Sequence, residues 1–108
     1  MNATFQALVD PTRRRILDLI REQPRMVGEL ADLLQTSQPG VSKHLRVLRE
    51  AGLVSVRQDA QRRWYELQPE PLAEVDAWLE PYRRAVEERY ERLDHLLERL
   101  QHEEHNNE

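Results

Sequence analysis

The stretch ELADLLQTSQPGVSKHLRVLREAGLV, Glu29 to Val54, decides the fold. From Ser37 onward it sets Val41, Leu45 and Leu48 at i, i+4 and i+7, the spacing of one helix face. Ser37 is a good N-cap, and Pro39 suits the first turn, where a missing N–H leaves no intrahelical bond unmade. Gly52 supplies the left-handed residue that stops such a helix. Just upstream, Val27, Leu30, Ala31 and Leu34 give an inward face to a shorter helix over 27–34, which starts without a good cap. Thr36-Ser37 is the turn between them. Two short helices across a tight polar turn make a helix-turn-helix.

Outward from this motif the pattern continues in both directions. Asp10-Pro11-Thr12 opens an earlier helix with Asp10 as N-cap and Pro11 at the first helical position. Ile16, Leu17 and Ile20 form its apolar stripe, and Gln23-Pro24 ends it. Before it, Thr4 to Val9 is a short segment, apolar through Phe5, Leu8 and Val9. Downstream, the β-prone runs Leu53–Arg57 and Arg63–Leu67 flank a glycine-free polar loop at 58–62 and predict a hairpin. The expected fold is mainly α with a small β-hairpin, a winged helix-turn-helix in one domain over 1–108. Its core and wing occupy 10–67.

Pro69 to Pro71 begins the last helical stretch, which Pro81 is expected to kink or divide. Leu79, Tyr82, Val86, Tyr90, Leu93, Leu97 and Leu100 recur there at steps of three and four. That seam is too long and apolar for one small domain to cover, and a second copy of the chain is the simplest partner. The segments 1–9 and 70–103 therefore read as dimerisation helices contributing Phe5, Leu8 and the seam residues. The tail 104–108 reads as frayed. Trp78 and Tyr82 read as packing at this interface rather than as a ligand cage.

The net charge of −4 conceals a division. Residues 11–66 carry eleven Lys/Arg against seven Asp/Glu, whereas 67–108 carry five against twelve. A basic front steers a polyanion even when the sum is acidic. Ser37, Gln38, Ser42, Lys43, His44 and Arg46 cap the second helix of the motif, lie on the faces its apolar residues leave free, or border them. Such side chains reach base edges and phosphates in a major groove. Arg57, Gln61, Arg62 and Arg63 on the hairpin supply backbone or minor-groove contacts. Arg13, Arg14 and Arg15 fall on successive helix positions, share no face, and read as solvated or internally paired.

Other classes fit less well. Ser42 and His44 are two apart on a helix and cannot face each other, and no glycine loop cradles a phosphate, so the chain does not read as an enzyme. An interaction module acting through the acidic last helix is the remaining rival. With no cysteine there is no disulfide or thiolate metal site. No membrane span or signal segment is visible, which points to the cytoplasm.

The runs Asp10-Pro11-Thr12-Arg13-Arg14-Arg15-Ile16-Leu17, Ser37 to Val54 and Arg62-Arg63-Trp64-Tyr65-Glu66-Leu67 closely resemble the ArsR/SmtB family of winged-helix repressors. The resemblance spans nearly the whole chain. It implies a homodimer joined by the first and last helices, placing two recognition helices on an imperfect palindrome of double-stranded DNA, often upstream of its own operon. It further implies Gln38, Ser42 and Lys43 as principal contacts, with release on a signal these residues do not specify.

The departures matter as well. Ala31 and Leu33 stand where metal-sensing members carry a Cys-x-Cys pair. Asp94, His95, His102 and His105 superficially match the family's C-terminal metal site, which would make a metal-responsive repressor. Their spacing is too short, however, and the last pair straddles the start of the expected frayed tail, so no cofactor or metal is expected. Gly40 weakens the recognition helix by about 1 kcal/mol relative to alanine, and it permits close approach to a phosphate.

Overall fold

The computed structural model describes residues 1–106 and contains five helices and one hairpin among them: α1 (Asn2–Val9), α2 (Pro11–Glu22), α3 (Val27–Leu34), α4 (Gln38–Glu50), β1 (Val54–Asp59), β2 (Arg62–Leu67) and α5 (Glu70–Asn106). The chain forms two compact units, Met1–Val75 and the remainder from Asp76.

In the first unit each helix starts and stops for a local reason. The Asp10 carboxylate accepts the backbone N–H groups of Thr12 and Arg13 at 2.8 and 3.2 Å, which caps α2 beside Pro11. At the end of α3, Gln35 takes the left-handed conformation at φ 55°, and its N–H reaches the Ala31 and Asp32 carbonyls. The core gathers Ile16, Leu17 and Ile20 from α2, Leu30, Ala31 and Leu34 from α3, and Val41, Leu45 and Leu48 from α4. Ala7, Leu53, Val54 and Tyr65 complete it. At α1 the inward face is Thr4 and Ala7, with Leu8 partly packed on the core. Val9 is exposed there, so the expected apolar side of this segment is only partly the buried one.

The hairpin is longer and tighter than expected. Its strands pair antiparallel from Val54↔Leu67 to Asp59↔Arg62, leaving only Ala60 and Gln61 as the turn. Ala60 adopts φ 56°, a conformation L residues seldom take, which is why the sequence carries no visible turn signal. Val54, Val56, Tyr65 and Leu67 share the inward face. The wing is tied down by Arg25, whose backbone exchanges two hydrogen bonds with Tyr65 at 3.1 and 2.8 Å. The buried Arg25 side chain then donates to the Leu19 carbonyl and pairs with Glu22, both at 2.9 Å. Its guanidinium also pairs with Glu29 at 3.7 Å, so one residue joins the end of α2 and the start of α3 to β2.

Arg13 and Arg14 have a role that the sequence alone did not suggest. The last four carbonyls of a helix lack intrahelical partners. In α1 these are Gln6, Ala7, Leu8 and Val9, and guanidinium groups serve all four. Arg13 donates to Ala7 and Gln6 at 2.7 and 2.9 Å, and Arg14 to Leu8 and Val9 at 2.6 and 3.1 Å. Helix α1 is therefore latched to the start of α2. Arg13→Ala, Arg14→Ala should lower stability by about 2 kcal/mol, discounted for the exposure of Arg14. Urea unfolding measures this, and a loss under half that size would show that water replaces the latch at little cost.

Asp10 carries a pH dependence. Its carboxyl is held below its ordinary 3.8, chiefly by the Arg13 N–H. Partial burial opposes this, while the Thr12 N–H and the positive charges of His44 and Arg13 add to it. With the folded-state value below the unfolded one, the stabilisation is complete above about pH 5 and disappears as pH falls through the folded-state value. Asp10→Asn keeps a capping side chain but should flatten the acid-side decline of the unfolding midpoint between about pH 5 and 3. Parallel profiles for the two proteins would rule Asp10 out as a contributor.

The second unit lies within α5, which runs unbroken past Pro81, so that residue does not divide it. The ring deprives the preceding turn of one N–H donor. Arg83 braces that turn by donating to the Asp76 carbonyl at 3.0 Å and pairing with the Asp76 and Glu80 carboxylates. The helix also continues through Asn106, so residues 104–106 of the expected frayed tail are helical. Residues 107 and 108 lie outside the described residues. No residue from Asp76 to His105 is buried. No described helix is long and apolar enough to cross a membrane.

Candidate nucleic-acid interface

Helix α4 is held from its first residue. The Ser37 hydroxyl accepts the Gly40 N–H at 3.1 Å, and the turn behind it is closed by the Thr36 N–H on the Ala31 carbonyl at 3.0 Å. A Cβ on Gly40 would lie 3.1 Å from that same hydroxyl oxygen, so the glycine serves the cap. Val41, Leu45 and Leu48 are at most 1% exposed, which fixes the rotation of α4 about its axis. At 100° per residue this leaves Gln38, Ser42, Arg46 and Lys43 across an arc of about 140° that begins at the edge of the packed face and runs round to its far side. All four are exposed. Arg49 falls on the same arc three turns along, a candidate the sequence reading passed over.

His44 lies elsewhere. It is half-buried at the edge of the packed face, close enough for its charge to bear on Asp10, and so stands apart from the exposed arc. Ser37 is exposed, with its hydroxyl oxygen committed to the cap.

On the wing, the register separates the arginines. Arg57, Arg62, Trp64 and Glu66 lie on the outer face, whereas Arg63 lies on the inner one. Arg62, Arg63 and Gln61 are exposed at the tip. Arg63 sits 5.9 Å above the Tyr65 ring centroid, at the outer limit of a cation–π contact. Arg57 is differently placed: its Nε donates to Glu66 Oε1 at 2.6 Å. That hydrogen bond, more than any other influence, raises the guanidinium above its ordinary pKa.

On α5, Leu79, Tyr82, Val86, Tyr90, Leu93, Leu97 and Leu100 are between 38% and 64% exposed. Leu96 belongs to the same stripe and was missed because it falls between two seam positions. The Trp78 and Tyr82 rings pack with centroids 5.0 Å apart. Phe5 on α1 is 37% exposed. Among the described residues no three His, Asp or Glu side chains converge to hold a metal ion. His95 meets Glu98 at 3.8 Å, one turn along the same helix.

Residues 10–56, the capped α2 through the first residues of the wing, match the model of the bacterial regulatory proteins of the arsR family. The chain is 35% identical over 79 residues to the transcriptional repressor SdpR of Bacillus subtilis, covering 73% of this chain and 88% of that protein. The chain belongs to the arsR family. An HTH-type transcriptional regulator from Mycobacterium tuberculosis, Rv2034, is 49% identical over 69 residues, or 64% of each chain. The crystal structure of the ArsR family regulator RHA00566 superposes with a TM-score of 0.69 at 34% identity, over 80% of this chain and 89% of that one. This arsR-family chain is thus a DNA-binding transcriptional regulator with a winged helix-turn-helix fold, and not an enzyme.

Proposed function

We propose that this arsR-family protein is a cytoplasmic repressor that binds an imperfect palindrome of double-stranded DNA as a homodimer, including one upstream of its own gene. The observation that carries the reading is the division of α4: one face wholly buried, the other presenting Gln38, Ser42, Lys43 and Arg46 to solvent. Gln pairs bidentately with adenine, Arg and Lys with guanine or phosphate, and the capped helix start offers backbone N–H groups to a phosphate. Gln61, Arg62 and Arg63 at the wing tip add backbone contacts.

The homodimer is supported by the second unit. A helical stretch in which no residue from Asp76 to His105 is buried, and which carries a continuous apolar stripe, draws its stability from a partner, since propensity alone barely sustains an isolated helix. The stripe's mean step of about 3.5 residues is that of a two-helix seam, and an identical chain supplies the matching stripe. Phe5 and Leu8 of α1 are the further contacts proposed.

The test is a titration of the protein into a duplex covering its own upstream region, beside an unrelated duplex, across a salt series. The reading expects a preference on the order of a thousandfold with a steep salt dependence. Equal, shallow binding to both would refute it.

A further inference from the structure

Arg57 has the chemistry of a phosphate contact but not the freedom of one. Its guanidinium is bound at 2.6 Å to Glu66, its diagonal neighbour on the outer face of the wing. Glu66 pairs opposite Ser55, one step nearer the base of the hairpin, so this bond draws Arg57 back from the tip. Glu66 is itself only 31% exposed, which limits the water competing for its carboxylate. At the tip, by contrast, neither Arg62 nor Arg63 forms an ion pair among the described residues. The wing thus holds one arginine paired with a carboxylate behind two exposed ones that are not.

We propose that Glu66 sets the affinity of the wing for DNA, holding Arg57 away from the phosphates so that the wing's grip comes from Arg62 and Arg63 alone. A phosphate contact carries no sequence information, so a third gripping arginine would strengthen binding to every duplex. Restraining it leaves a larger share of the binding to the base-reading face of α4. Glu66 is then a positioning residue, acting through Arg57 and touching no DNA itself. The inference rests on the proposed role of the wing tip.

The experiment uses the full chain and a duplex of unrelated sequence, because the effect is independent of the operator. Glu66→Gln should tighten binding by about three- to tenfold and steepen the salt slope by about 1.8 per dimer, the value of one added phosphate contact in each of the two wings. Arg57→Ala alone should change affinity by less than about twofold. In the double variant the gain should vanish, which separates release of Arg57 from mere loss of a repulsive carboxylate. Three results overturn the proposal: no gain from Glu66→Gln, a gain that survives in the Arg57→Ala background, or a tenfold loss from Arg57→Ala alone. The last would make Arg57 a working contact that Glu66 orients. Thermal unfolding of each variant checks that the hairpin is intact. Arg62→Ala, Arg63→Ala in the same assay tests the underlying reading separately: unchanged binding there would mean the wing tip does not touch DNA.

Discussion

Leu93→Asp, Leu97→Asp should sediment as a monomer at concentrations where the unaltered chain is a dimer, and should bind a palindromic duplex on the order of 10² to 10⁴ times more weakly. Both leucines are about half exposed in the single chain, so nothing within their own unit requires them to be apolar. In a seam of two identical helices, the two substitutions would place four carboxylates in an apolar interface, where an unpaired charge costs several kcal/mol. The loss of DNA affinity follows from geometry: joined half-sites make the second binding event intramolecular, and separated ones do not. Binding to a single half-site should survive, since Val41, Leu45 and Leu48 still orient α4. Analytical ultracentrifugation decides the matter, and a double variant that remains dimeric would remove α5 from the interface.

The complementary variant, Lys43→Ala, Arg62→Ala, Arg63→Ala, should do the reverse. It should stay dimeric and fold normally, because all three side chains are exposed and none holds a core element in place. Its affinity at moderate salt should fall on the order of a hundredfold or more, and its salt slope should drop by about five units per dimer if all three side chains of each subunit meet phosphates. A smaller drop in slope with the same loss of affinity would place Lys43 on a base edge. Retained binding to the operator would exclude this face as the reading surface. Together the two variants separate assembly from recognition, and the acidic-helix interaction module predicts the opposite result for the second.

Most of the helical framework was legible without coordinates because each end is a local event. A cap at Asp10 or Ser37 and a stop at Gly52 depend on a few neighbouring atoms, and the spacing of Val41, Leu45 and Leu48 depends only on the helix repeat. The exposed polar residues of α4 followed from that spacing. The hairpin was legible in kind but not in extent: the turn at Ala60 has no glycine, and pairing across the strands carried the ladder two residues further along β1 than the residue types indicated.

By itself, then, the sequence determined the helix-turn-helix, the buried stripes of α2, α3 and α4 and the polar residues that α4 leaves exposed, since these arise from periodicity and caps within a few residues. Tertiary structure alone decided the work of the charged side chains. Arg13 and Arg14 find α1's terminal carbonyls, Arg25 joins three elements, the charge of His44 bears on Asp10, and Arg57 is claimed by Glu66. A long charged side chain has many partners within reach and little intrinsic preference among them. Which partner it takes depends on what the folded chain brings to within about 3 Å, a distance no sequence spacing encodes.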